Sequence, residues 1–305
     1  MKTIEVSQSI TKTMTFADKF SRLKTRLFLL VWLIFLMVSF HYTADFFYTL
    51  YSITKAQNSN YIIKVKNDIG YYTRVEEKPA DWIPLDKISK RVQQAIISSE
   101  DGQFYEHPGY DLKQMRDAIN DSFVLKKKMR GASTITQQLV KNLYLNHDRT
   151  FGRKARELFL ALMIEHYADK EKILEMYLNV IEYGKGLYGI SAASKYYFNK
   201  NASNLNAREA AFLAMLLPSP KRYSKSFKNK ILTPFANRMI ASILQKMQHA
   251  GYLGETEYLS QLGGRFNWER VAIESIVPTT NFMEKNNEDF EDEFEIEGPV
   301  SRNNI

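Results

Sequence analysis

Four short clusters hold the side chains best suited to chemistry. The first is Glu100-Asp101-Gly102-Gln103-Phe104-Tyr105-Glu106-His107-Pro108-Gly109, which ends the apolar-rich run VQQAIISSE. A carboxylate at the C-terminal end of a helix faces the negative end of the macrodipole, which disfavours its charged form. Glu100 is therefore suited to general acid or base work. On generic grounds, a Glu-Asp pair in a turn or a single histidine such as His107 is more often structural. The second cluster is Gly131-Ala132-Ser133-Thr134-Ile135-Thr136-Gln137-Gln138-Leu139-Val140-Lys141-Asn142. If Thr134 caps a helix, Gln137 and Lys141 share one face, with Gln138 beside Lys141. Hydroxyls from Ser133 and Thr134 at a helix start, followed by amides and an ammonium, suit a phosphate or a sugar. A well-capped helix with solvated amides would use the same residues. The third cluster is Arg153-Lys154-Ala155-Arg156-Glu157. Arg153 and Glu157 make either a simple i,i+4 ion pair or a carboxylate among cations that grip phosphate. In the fourth, Lys172 to Asn179, an apolar stripe of Ile173, Leu174, Tyr177 and Leu178 accompanies Glu175 and Asn179. Those two polar residues share a face and are expected to organise the fold.

Helices must position these clusters. Apolar periodicity predicts them over 87–100, 111–124, 134–145, 153–167, 170–180, 189–197, 207–217 and 233–250. Thr134 with Gln137 three residues on, and Asp169 before KEKILEMYL, mark starts. Gly131, Gly184, Gly186 and the Pro218/Pro220 pair mark stops. Tyr61–Lys66 and Gly70–Val75 read as short strands or extended linker. Upstream, the run LFLLVWLIFLMVSF together with His41 to Ala44 makes a stretch of 18 residues, 27–44, long enough to span a bilayer. The residues after it make a poor cleavage site, which favours an uncleaved anchor over a signal peptide. Six bases precede the run and Asp45 follows it, so the N-terminus is expected in the cytoplasm and the rest outside it. The divisions are then 1–26 basic tail, 27–44 anchor, 45–80 membrane-proximal linker, 81–250 main domain, 251–280 extension and 281–305 acidic tail, read as disordered.

Composition closes other routes. The 305 residues contain no cysteine, which excludes a disulfide framework, a thiol nucleophile and Cys-ligated metal. An apolar share of 45% allows a real core. Net charge is +8, but 284–297 hold eight acids and one base, so the remaining chain is about +15. A basic body suits an anionic partner. Nucleic acid is a weak candidate, because the bases are scattered and the anchor places them across the membrane. Phe123-Val124-Leu125 beside Lys126-Lys127-Lys128-Met129-Arg130 suits insertion at an anionic headgroup surface.

In order and spacing the clusters resemble the peptidoglycan glycosyltransferase family (glycosyltransferase family 51). Glu100–Gly109 fits EDxxFxxHxG, Gly131–Asn142 fits GxSTITQQxxKN, Arg153–Glu157 fits RKxxE and Lys172–Asn179 fits KxxILExYLN. The likeness extends over about residues 82–223. It implies an all-α, lysozyme-like bundle with a cleft between two lobes, behind one transmembrane helix. It implies a monofunctional type, since the motifs and length of a transpeptidase domain are lacking. The implied reaction joins a lipid-pyrophosphate-linked glycan chain to the 4-hydroxyl of lipid II, with inversion. Glu100 would be the base and Glu157 the second carboxylate. Lys141, Arg153 and Lys154 would hold the pyrophosphate, while Ser133, Thr134, Gln137, Gln138, Asp101 and His107 would shape the cleft. The resemblance fixes no cofactor; Glu157 could act through a divalent metal, magnesium or manganese. Implied partners are lipid II, the polyprenyl-linked glycan, the bilayer of the cytoplasmic membrane, and other wall synthases or division proteins. A non-catalytic wall scaffold and a glycan-cleaving lysozyme-like enzyme are the alternatives.

Overall fold

The computed structural model describes residues 2–54, 63–66, 72–75, 81–123, 133–145 and 151–270, and they are mostly helical. After the long α1 (Lys2–Thr54) come α2 (Lys90–Glu100), α3 (Leu112–Phe123), α4 (Ile135–Tyr144), α5 (Phe151–Tyr167) and α6 (Lys170–Val180). Then follow α7 (Ile190–Phe198), α8 (Ala207–Leu216), α9 (Pro220–Tyr223), α10 (Lys225–Asn229), α11 (Pro234–His249) and α12 (Glu255–Leu262). Each of the eight predicted helices is present, with ends within three residues of the expected ones. The caps explain the starts. Thr134 and Gln137 form a reciprocal capping box, Asn206 and Glu209 form another, and the Asp169 side chain accepts from Lys172 N at 2.8 Å.

The all-α expectation needs one refinement. Strands β1 (Ile63–Lys66) and β2 (Tyr72–Val75) pair antiparallel, Ile63 opposite Val75. Strands β3 (Glu182–Gly184) and β4 (Leu187–Tyr188) form a second antiparallel pair. Gly184 and Gly186, read as helix stops, turn this hairpin, and Gly186 has φ +73°. Just beyond it Gly189 has φ +80°, and a Cβ there would lie 2.8 Å from the Asn179 carbonyl oxygen. Only glycine lets the chain pass so close to the end of α6.

Helix α8 is the hub. Every residue of AREAAFLAML is buried, and its alanines let α2 and α11 approach from two sides. Its two charged residues are satisfied at their ends. Glu209 pairs with Lys200 at 2.7 Å, and Arg208 donates to the Gln261 and Leu262 carbonyls at 3.1 Å each. Residues beyond α11, read as an extension, complete this core. Phe266 and Trp268 stack on each other at 4.9 Å and meet Phe212 edge-on at 5.2 and 5.6 Å, and Arg91 of α2 binds Glu257 of α12 at 2.6 Å.

A second layer packs α4 on α5 and α6. The last turns of α1 join it. Ile53 is fully buried, Phe46 meets Phe159 of α5 at 6.0 Å, and the Tyr144 hydroxyl bonds Ser52. Burial there pushes the Tyr144 hydroxyl up to about 12. Earlier in α1, the large apolar side chains between Leu27 and Phe40 are 41–74% exposed. Among the described residues no helix is long and apolar enough to cross a membrane. Within the 27–44 stretch expected to span, side chains are described over 27–40 and at 43 and 44. The segment Val124–Arg130 and the acidic tail lie outside the described residues.

Candidate active site

Glu100 is the last residue of α2 and is half-buried. The helix ends there because Asp101 leaves helical geometry (φ −159°, ψ 72°) and the chain turns into 101–111. Gln138, four residues past the Thr134 cap, donates from Nε2 to Glu100 Oε2 at 2.9 Å. Tyr177, fully buried on α6, donates its hydroxyl to Gln138 Oε1 at 2.9 Å. Burial is the main cause that lifts the Glu100 carboxyl above its ordinary value. The Gln138 hydrogen bond, Lys246, Ser99 and Lys141 pull the other way without cancelling it. Burial, more than the helix dipole, is thus what raises the Glu100 carboxyl and suits it to proton transfer.

Asp101 and His107 lie beside this group but face inward. Asp101 is 1% exposed; its Oδ2 accepts from Ile135 N at 2.9 Å, at the start of α4. Its Oδ1 meets His107 Nε2 at 2.8 Å, while His107 Nδ1 accepts from Gly109 N at 3.2 Å. Those two bonds place the ring proton on Nε2. Thr134 caps α4 and donates to the Gly109 carbonyl at 2.8 Å, and Gln137 closes the capping box. Gly109 is required here: it has φ +87°, and a Cβ would come within 2.8 Å of Glu165 Cγ. Glu165 in turn accepts from Thr136 and from Lys170, which also reaches the His107 carbonyl at 2.7 Å. So Asp101, His107 and Thr134, expected at the cleft, have their polar groups bonded within the fold, as does the amide oxygen of Gln137. They tie the end of α2 to the start of α4 and fix where Glu100 and Gln138 meet.

Helix α5 supplies the second carboxylate. Glu157 is 3% exposed. Arg153 donates to its Oε2 at 2.8 Å and Lys154 to its Oε1 at 2.5 Å, while Lys154 also reaches Ser133 Oγ at 3.4 Å. The two cations remain partly exposed, with side-chain values of 22% and 44%, around a carboxylate that is not. That arrangement gives one net positive charge presented outward, next to the hydroxyl at the head of α4. Lys141 is exposed one turn beyond Gln137 and lies close enough to Glu100 to act on its charge. Lys246, exposed on α11, does the same and was missed from the sequence. Nothing local marks it, since a lysine on the outer face of an amphipathic helix is ordinary. Among the described residues no three His, Asp or Glu side chains converge on a metal-sized space. Both oxygens of Glu157 are already bonded to cations, so a metal does not fit there without displacing one.

The fourth cluster organises the fold, as expected. Glu175 accepts from Trp82 Nε1 at 2.9 Å, Leu85 N at 3.1 Å and Lys172 at 3.1 Å. Asn179 exchanges two 2.9 Å hydrogen bonds with the backbone of Ile83. Burial opposes the charge on Glu175, but these three donors outweigh it and hold the carboxyl below its ordinary value.

A mostly helical domain carrying a raised carboxyl and a cation-bearing helix start has the groups to move a proton and to steady a leaving anion, as a transferase acting on a phosphate-linked donor requires. The sequence pattern of the Transglycosylase family matches residues 67–248, and the chain belongs to that family. It is 44% identical over 170 residues to the biosynthetic peptidoglycan transglycosylase of Shewanella amazonensis, covering 56% of this chain and 67% of that protein. The protein of the same name from Bordetella pertussis is 44% identical over 171 residues, covering 55% and 69%. Penicillin-binding protein 1F of Bacillus subtilis is 42% identical over 182 residues, which is 59% of this chain but 25% of that longer protein.

Proposed function

We propose that this transglycosylase polymerises peptidoglycan glycan chains in the cell envelope, with Glu100 as the general base. The observation that carries the proposal is the half-buried Glu100 carboxyl, raised by burial and held by Gln138 with Lys141 and Lys246 acting on its charge, while Lys154 of the Glu157 cluster reaches Ser133 at the head of the same helix α4. The donor is a glycan chain joined through pyrophosphate to a polyprenyl lipid, and the acceptor is the 4-hydroxyl of lipid II. The acceptor oxygen forms the new bond to the donor anomeric carbon as its proton passes to Glu100. The anomeric carbon–oxygen bond to pyrophosphate breaks, and its electron pair leaves with the pyrophosphate. The cations stabilise the negative charge that develops there. Attack opposite the leaving group inverts the anomeric configuration. Glu157 holds Arg153 and Lys154 in place for that task, and Ser133 completes the polar edge. No step needs a metal.

A membrane-bound substrate calls for a membrane-bound enzyme. The unbroken α1 helix, with its exposed Leu27–Phe40 stretch and its last turns packed into the domain, supports a single-pass anchor. By the charge bias the N-terminus is cytoplasmic and the catalytic domain lies outside the cytoplasmic membrane. The helical layers around α8 and α4 support a lysozyme-like architecture with the cleft at the Glu100–Glu157 face.

Detergent-solubilised full chain, given labelled lipid II, is expected to produce a ladder of lengthening glycan strands and to leave finished wall sacculi intact. Cleaved sacculi without polymer would replace the proposal with a hydrolase.

A further inference from the structure

Tyr177 has two features that packing alone does not require. It is fully buried on the apolar stripe of α6, yet its hydroxyl donates to a polar partner, Gln138 Oε1, at 2.9 Å. The same amide donates from Nε2 to Glu100 Oε2 at 2.9 Å. A primary amide has a donor end and an acceptor end, and rotating it by half a turn exchanges them. With Tyr177 donating to the oxygen, only the NH2 end can face Glu100. Without that donor the amide could turn its oxygen towards the carboxylate, where like partial charges repel.

We propose that Tyr177 is a positioning residue for Glu100: its hydroxyl locks the Gln138 amide with the NH2 end towards the carboxylate. This rests on the reading of Glu100 as the base. The lock works in two ways. It fixes the direction of Oε2, and with it the plane of the carboxyl that takes the acceptor proton. It also supplies the main counterweight to burial, favouring the ionised form of Glu100 that accepts the proton. The other charged or titratable groups acting here are Lys141 from α4, Lys246 from α11, and Asp101 and Tyr183 around the Tyr177 hydroxyl. None of them donates to Gln138 Oε1.

The test is the pH dependence of kcat for lipid II polymerisation by wild type, Tyr177→Phe, Gln138→Met and the double variant, all as full chains in detergent. Tyr177→Phe is expected to lower kcat roughly tenfold with KM within about twofold, and to move the acidic limb upward by about half a pH unit or more. Gln138→Met should do the same, and the double variant should be no worse than the worse single one. A folded Tyr177→Phe enzyme whose acidic limb coincides with wild type would overturn the proposal, whatever its thermal stability. If Tyr177→Phe does not fold, Gln138→Met decides: a moved limb supports the lock and an unmoved one refutes it. Full activity of Glu100→Gln would instead remove the base assignment itself, a failure separate from that of the lock.

Discussion

Glu100→Gln is expected to lower kcat for glycan polymerisation by about a thousandfold, equivalent to about 4 kcal/mol of transition-state stabilisation. The amide cannot take the proton of the incoming hydroxyl, yet it keeps the size of the carboxyl and can still accept from Gln138. The variant should also be at least as stable as wild type at neutral pH. The folded-state value of Glu100 is raised, so the folded protein holds this proton more tightly than the unfolded chain. The stability this group contributes is complete below its unfolded value of 4.5 and is lost as pH rises through the folded one. At pH 7 the ionised side chain is therefore a liability that glutamine removes. Dead and equally or more stable is the signature of a functional carboxylate. A variant both dead and less stable would point to a structural one. Activity is read by gel ladders of labelled lipid II and stability by thermal unfolding of the solubilised protein.

The second large effect is expected at Glu157. Replacing it with glutamine removes the charge that Arg153 and Lys154 both bind, at 2.8 and 2.5 Å. Both cations are partly exposed, so much of the lost attraction is screened and the cost to folding is small, about 1 kcal/mol. The functional cost is greater, because two cations that have lost their shared carboxylate are held less closely for the departing pyrophosphate. A fall of about a hundredfold in kcat/KM is expected, about 2.7 kcal/mol. Arg153→Lys should recover little, since an ammonium lacks the planar fork of the guanidinium. Glu157→Gln with wild-type kcat/KM would mean that the ion pairs serve the fold alone.

Much of this architecture was legible in the sequence, for a physical reason. Helix starts depend on a residue and its near neighbours, so Thr134 with Gln137, and Asp169 before α6, marked real ends. The face shared by Glu175 and Asn179 also follows from helical spacing, and those side chains do anchor Trp82 to Leu85. What stayed hidden depends on contacts between distant segments. Glycines at 184 and 186 break a helix and turn a hairpin equally well, so the β3–β4 pair was read as a stop. Trp268 and Phe266 look like an extension until they meet Phe212. Tyr177 lies on an apolar stripe, and nothing in its spacing shows that its hydroxyl finds Gln138. Asp101 and His107 belong to the same motif as Glu100, yet they are bonded inward. A motif marks residues that act together without separating those that meet substrate from those that hold its neighbours.

The most direct measurement is the acidic limb of kcat for wild-type enzyme polymerising lipid II at saturating substrate. A base with a raised value should lose activity, as pH falls, with a midpoint above the ordinary 4.5 of a glutamate. Full activity down to pH 4.5, in protein shown to remain folded there, would contradict Glu100 as the base.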